Sequence, residues 1–116
     1  MIPYGRHYID EADVAAVVDV LRHGALTQGP KIAEFEESVA RYVGAKYAVA
    51  VSSGTAALHL ACIAADAGPG DNVVTTPSTF VASANCALYV GATPQFADID
   101  AETLNLDPQC LATKCK

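Results

Sequence analysis

Basic residues are too few and too scattered in this chain to form a nucleic-acid surface. Seven Lys and Arg stand against thirteen Asp and Glu, with no basic arm or stripe. No apolar run approaches the roughly 20 residues that a membrane-spanning helix needs. The opening Met1-Ile2-Pro3-Tyr4-Gly5-Arg6 also lacks a signal-peptide pattern, so a cytoplasmic protein with no membrane partner is expected. The four cysteines, Cys62, Cys86, Cys110 and Cys115, make no C-x-x-C pair, and His7, His23 and His59 lack ligand spacing. Neither a metal site nor a disulfide framework is expected. Two phosphate-loop signatures, G-x-G-x-x-G and G-x-x-x-x-G-K-[ST], are missing as well, which disfavours a dinucleotide dehydrogenase or a P-loop ATPase. Charge itself is scarce, at 17% of 116 residues against 52% hydrophobic, and so low a share in a short chain points to surface that meets further protein.

What is present begins with two short amphipathic helices. Asp10 reads as a cap before Val14, Val17, Val18 and Leu21 at helical spacing, with Gly24 as the stop. Pro30 fits the first position of a second helix whose apolar face is Ile32, Phe35, Val39 and Tyr42 or Val43, closed by Gly44. From there the pattern alternates. Strands are expected at 47–51, 72–76 and 94–99, with helices at about 55–67 and 80–90 and a capped start at Asp107-Pro108. Near-continuously apolar strands separated by crossover helices argue for an α/β fold with a mostly parallel sheet and helices on both faces. The expected organisation is a helical segment, 1–45, followed by the first part of an α/β domain, 46–116.

Ligands of such sheets bind beyond the carboxyl ends of the strands. There the sequence places Ser52-Ser53-Gly54-Thr55, joining the first strand directly to a helix. A helix start aims free N–H groups and a positive dipole end at that crevice, and Gly54 permits close approach, so a single phosphate is the natural guest. The competing reading of Ser53 or Thr55 is a simple helix cap. Phe80, on the neighbouring loop, could cover the face of a flat ring, or merely pack against the sheet.

Taken together, Leu26-Thr27-Gln28-Gly29-Pro30, Phe35-Glu36, the run from Tyr47 through Ser52-Ser53-Gly54-Thr55-Ala56-Ala57-Leu58-His59, Thr79-Phe80-Val81-Ala82-Ser83-Ala84-Asn85, Gly91-Ala92 and Phe96-Ala97-Asp98-Ile99-Asp100 resemble the DegT-type nucleotide-sugar aminotransferases. The resemblance implies the N-terminal part of the large domain of the aspartate aminotransferase (type I) fold, with pyridoxal 5'-phosphate (PLP) as cofactor. It assigns Gly54, Thr55 and Ala56 to the cofactor phosphate and Phe80 to the pyridine ring. Tyr4, Leu26, Thr27 and Gly54 match positions that touch the sugar nucleotide. The opening residues and the stretch 80–91 are most similar to the branch that aminates C4 of a UDP-linked 4-keto-6-deoxy-N-acetylhexosamine on the way to pseudaminic acid, with an amino-acid donor, glutamate. The resemblance further implies a homodimer for the complete enzyme, and a Schiff-base lysine with no counterpart here. Lys31, Lys46, Lys114 and Lys116 read as surface charges, so these 116 residues alone are expected to be inactive. The alternative is a non-catalytic interaction module that keeps only the phosphate-binding half of the fold. The resemblance also implies that 47–51 does not neighbour 72–76 in the sheet.

Overall fold

A computed structural model of the chain describes residues 5–114. Tyr4, expected to touch substrate, lies outside the described residues, as do Cys115 and Lys116. Contacts divide the chain after Ala50 into two units.

The first unit holds α1 (Glu11–His23) and α2 (Pro30–Val43). Both begin as their sequences require. The Asp10 carboxylate accepts from the amides of Ala12 and Asp13 at 2.9 and 3.0 Å, while Asp13 accepts from the Asp10 amide at 3.0 Å. This reciprocal arrangement satisfies donors that a helix start otherwise leaves empty. In α2, Pro30 occupies the first turn, where its missing N–H costs nothing, and Gly44 in the left-handed region closes the end.

The second unit holds α3 (Gly54–Ala64), β1 (Asn72–Thr75), α4 (Ala82–Tyr89), β2 (Thr93–Phe96) and α5 (Pro108–Ala112). β1 and β2 pair in parallel, with Asn72 opposite Thr93 and Thr75 opposite Phe96. The α4 crossover lies against both strands, and α3 packs on α4. What allows this approach is the smallness of the buried residues. Ala82, Cys86, Ala87, Ala92 and Ala97 form the core of this unit, and Ala87 is fully shielded from solvent. After α4, Gly91 takes a φ of 77°, a conformation that suits glycine and turns the chain so that the Ala92 amide reaches Ala87 O at 2.9 Å. Cys62 on α3 and Cys86 on α4 are neighbours. Burial, then hydrogen bonding to Cys86, raises the Cys62 thiol above its ordinary range.

Several expected boundaries move. Residues 47–51 form no strand, because no segment among the described residues supplies a ladder partner, and β1 pairs with β2 instead. α3 stops at Ala64, with Asp66 left-handed at a φ of 57°. α4 starts at Ala82 rather than 80, since Phe80 and Val81 form a tight lead-in turn in which the Ser83 amide reaches Phe80 O. β2 ends at Phe96 rather than 99; Ile99 leaves the sheet to bridge antiparallel with Leu106. Among the described residues, no helix is long and apolar enough to cross a membrane.

No large side chain among the described residues is fully buried, while Val17, Leu21, Phe35, Tyr47, Ile63 and Phe80 are all more than half exposed. Alanine-sized burial releases too little free energy to offset the entropy of ordering the chain. Expressed by itself, the 1–116 polypeptide is therefore expected to melt gradually and to bind a hydrophobic dye when cold. A single sharp calorimetric transition would contradict this.

Candidate functional site

The start of α3 is built by Ser53. Its backbone is extended, at φ −165° and ψ 164°, and its hydroxyl accepts from the Ala56 amide at 3.2 Å. The Ser53 carbonyl accepts from the Ala57 amide at 3.0 Å. These contacts account for the third and fourth amides of the helix. The first and second, those of Gly54 and Thr55, donate to no acceptor among the described residues. A helix start with its cap satisfied and its leading amides free retains both donors and the positive end of the dipole for an outside anion.

Gly54 adds a second observation. Its φ is not positive, and a Cβ built there would meet nothing within 4 Å. Neither the backbone conformation nor any neighbour demands glycine at this position. The lack of a side chain leaves open space at the helix start, which allows an outside group to approach the backbone there. Thr55 is half-buried beside it, with a hydroxyl of the right length to add a donor. These residues fit a phosphate group.

Phe80 follows β1, on the 76–81 segment. With Thr76, Pro77, Thr79, Val81 and Phe96 it lines a cleft of about 260 Å³ at the carboxyl ends of β1 and β2. The ring is 73% exposed. Its apolar face is thus unspent in core packing and remains free for a planar ligand. Thr76 Oγ1 accepts from the Ser78 amide at 3.2 Å and shapes this segment. Phe96, the last residue of β2 and opposite Thr75 in the ladder, shares the cleft.

The loop after β2 is acidic and folded on itself. Asp100 accepts from the amides of Thr103 at 2.7 Å and Glu102 at 3.1 Å, and these bonds, Thr103 first, hold its carboxyl below the ordinary carboxylate range. Among the described residues no cluster of His, Cys, Asp and Glu could hold a metal ion.

Leu26 and Thr27 lie in the first unit, on the 24–29 link between α1 and α2. Leu26 is 70% exposed. A close approach fixes the link: a Cβ on Gly29 would stand 2.6 Å from Ala25 O, so only glycine permits this path. Gln28, at a φ of 54°, bends the chain beside it. The structure thus brings Gly54, Thr55 and Ala56 together on α3, places Phe80 in the β1–β2 cleft of the same unit, and displays Leu26 and Thr27 on a separate one.

Known proteins agree with this architecture. A protein from Bacillus subtilis named spore coat polysaccharide biosynthesis protein SpsC is 50% identical over 107 residues, covering 92% of this chain and 28% of its own length. The UDP-4-amino-4-deoxy-L-arabinose–oxoglutarate aminotransferase of Shewanella sediminis is 48% identical over 106 residues, covering 91% of this chain and 27% of its own. Among solved structures, the aminotransferase from Psychrobacter cryohalolentis superposes with a TM-score of 0.85 at 36% identity, over 96% of this chain and 29% of that one. The chain thus spans a little over a quarter of the length of the curated relatives it matches. The profile of the DegT/DnrJ/EryC1/StrS aminotransferase family matches residues 7–115, nearly the whole chain, and with the parallel α/β unit described above, the chain belongs to that family.

Proposed function

We propose that the whole protein is a PLP-dependent aminotransferase that replaces the C4 keto oxygen of a UDP-linked 4-keto-6-deoxy-N-acetylhexosamine with an amino group taken from glutamate. The observation that carries this reading is the pair of amides at Gly54 and Thr55, unpartnered among the described residues, together with the open space at Gly54. The name of the Shewanella sediminis relative pairs a UDP-linked 4-amino sugar with oxoglutarate, the keto acid that glutamate leaves behind, and this supports both position and donor.

In this reading the residues divide the work by chemistry. The amides of Gly54 and Thr55 donate to the coenzyme phosphate, and the Thr55 hydroxyl adds a third donor. The amide of Ala56 takes part to the extent that it is shared with Ser53 Oγ, 3.2 Å away. Phe80 would cover one face of the pyridine ring and exclude water from it. Leu26, Thr27, Tyr4 and Gly54 meet the sugar nucleotide. When bound, PLP supplies an electron sink that stabilises negative charge at the carbon where the proton is exchanged.

The lysine that anchors the coenzyme and moves this proton belongs, in this proposal, to residues outside the stretch. Lys31 is engaged with Glu34 at 2.6 Å on the surface of α2, which raises its pKa through hydrogen bonding and charge. The Lys46 ammonium lies 5.1 Å from the Tyr47 ring centre. The complete enzyme is proposed to be a homodimer acting in surface-sugar biosynthesis, such as that of pseudaminic acid, in the cytoplasm.

Ser53 offers a test of the phosphate seat in the full-length protein. Ser53→Asp keeps a capping oxygen for the Ala56 amide but sets a carboxylate beside the incoming phosphate. Its thermal midpoint is expected to stay near that of the wild type while PLP affinity, followed by absorbance titration, falls about tenfold or more. Unchanged affinity would remove the phosphate from this helix. Ser53→Ala should instead lower stability by about 1 kcal/mol through the lost cap.

The substrate is tested by incubating the full-length protein with PLP, glutamate and the UDP-linked 4-keto sugar. Mass spectrometry should show oxygen exchanged for an amino group at C4, with one oxoglutarate formed per sugar. Amination of a 3-keto analogue in preference would overturn the assigned position, and no aminated product from either would overturn the activity.

A further inference from the structure

We propose that Cys62 and Cys86 form an oxidisable dithiol, which a hydroperoxide converts into a disulfide that staples α3 to α4. The two thiols come from different helices of one unit, in which α3 packs on α4. Both are free thiols in the structure. They line a single cavity of about 410 Å³ with Leu58, Ala61, Val73 and Ser83, and its walls are otherwise aliphatic or hydroxyl side chains. A buried cysteine ordinarily serves as a small hydrophobe, work that Ala82, Ala87, Ala92 and Ala97 do in the same core. What sets Cys62 and Cys86 apart from those alanines is that their sulfurs lie within hydrogen-bonding reach of each other. Cys86 Sγ also donates to the Ser83 carbonyl at 3.3 Å, a bond to its own helix that limits the freedom of the sulfur. Two adjoining thiols can exchange their hydrogens for a bond between the sulfurs, which a lone buried cysteine cannot do.

The reaction balances with one molecule of hydrogen peroxide. Cys62, the less buried of the pair, attacks a peroxide oxygen as thiolate; the O–O bond breaks, hydroxide leaves and takes up the thiol proton as water, and Cys62 becomes a sulfenic acid. The Cys86 sulfur then attacks the Cys62 sulfur. An S–S bond forms, the S–O bond breaks, and the departing hydroxide takes the Cys86 proton and leaves as a second water. The thiol pair loses two electrons and the peroxide gains them. Burial, then the bond to Cys86, holds the Cys62 thiol above its ordinary range, so thiolate is scarce at neutral pH and the first step is slow. The second is fast, because the partner sulfur is already adjacent.

The new bond closes residues 63–85 into a loop. That loop carries β1 and the 76–81 segment with Phe80. A cross-link at its two ends restricts the open states available to the enclosed chain.

The test treats the full-length protein with hydrogen peroxide, alkylates the remaining thiols and digests it without reductant. Mass spectrometry should find a peptide pair joined through Cys62 and Cys86, lighter by two hydrogens than the separate peptides and released by dithiothreitol. Hydrogen exchange across 63–85 should slow about threefold or more on oxidation of the wild type, with no change on the same treatment of Cys62→Ala or Cys86→Ala. Recovery of Cys62 only as the unmodified thiol, as a sulfinic acid or joined to another cysteine would overturn the dithiol. The cross-link without slower exchange would overturn the staple, as would equal slowing in the alanine variants.

Discussion

The first turn of α3 is the constraint around which the rest is arranged. A helix begins with amides that its own geometry cannot satisfy, and a protein must either cap them, expose them to water or reserve them for a ligand. Here Ser53 takes the Ala56 amide through its hydroxyl and the Ala57 amide through its carbonyl, so the helix start is held without engaging Gly54 and Thr55. The cap therefore leaves the two leading amides of the same turn to an outside acceptor. Had the Ser53 side chain reached the leading amides, the cap would have consumed the site.

Small side chains dominate the packing of the second unit. With Ala82, Cys86, Ala87, Ala92 and Ala97 as its buried residues, the second unit brings α4 close to β1 and β2, and α3 close to α4. Close approach leaves little room for helix rotation, which favours precise placement over a large burial term. The corollary is visible on the outside, where large apolar side chains such as Leu60, Ile63, Val81 and Leu88 remain substantially exposed. Such surface is the pattern of elements that pack against further protein.

Local signals were the ones legible in sequence. Asp10, Pro30, Gly44, Gly91 and Asp107 mark helix ends because each acts on backbone groups within a few positions, and each is found at the end it marks. Strands were less legible, since a strand exists only by virtue of its partner. Residues 72–76 and 94–99 have one, and four residues of the first and three of the second lie in β1 and β2; residues 47–51 have none among the described residues and form no strand. At the candidate site, the phosphate turn could be inferred from serine, glycine and threonine at a strand-to-helix junction. Phe96 as a wall of the Phe80 cleft could not, because that depends on the pairing of β2 with β1. Nor could the bond from Glu36 to Ala50, which joins positions fourteen apart and leaves no local signature beyond an acid where a helical stripe should be apolar.

Groups left without an intramolecular purpose are informative when they converge in kind. Among the described residues, the amides of Gly54 and Thr55 are donors without acceptors, a Cβ at Gly54 would meet nothing, and Phe80 is largely exposed rather than spent in the core. Each alone has an ordinary explanation in hydration, chance or loop exposure. Their chemistries, however, are those of an anion clamp and an aromatic platform, and both occur in the unit whose parallel strands end beside Phe80. A molecule that carries one phosphate and one flat ring has a group suited to each of these chemistries. A bare phosphate would leave the ring unused and an uncharged aromatic would leave the amides unused, whereas the coenzyme of the proposed function calls on both kinds of group.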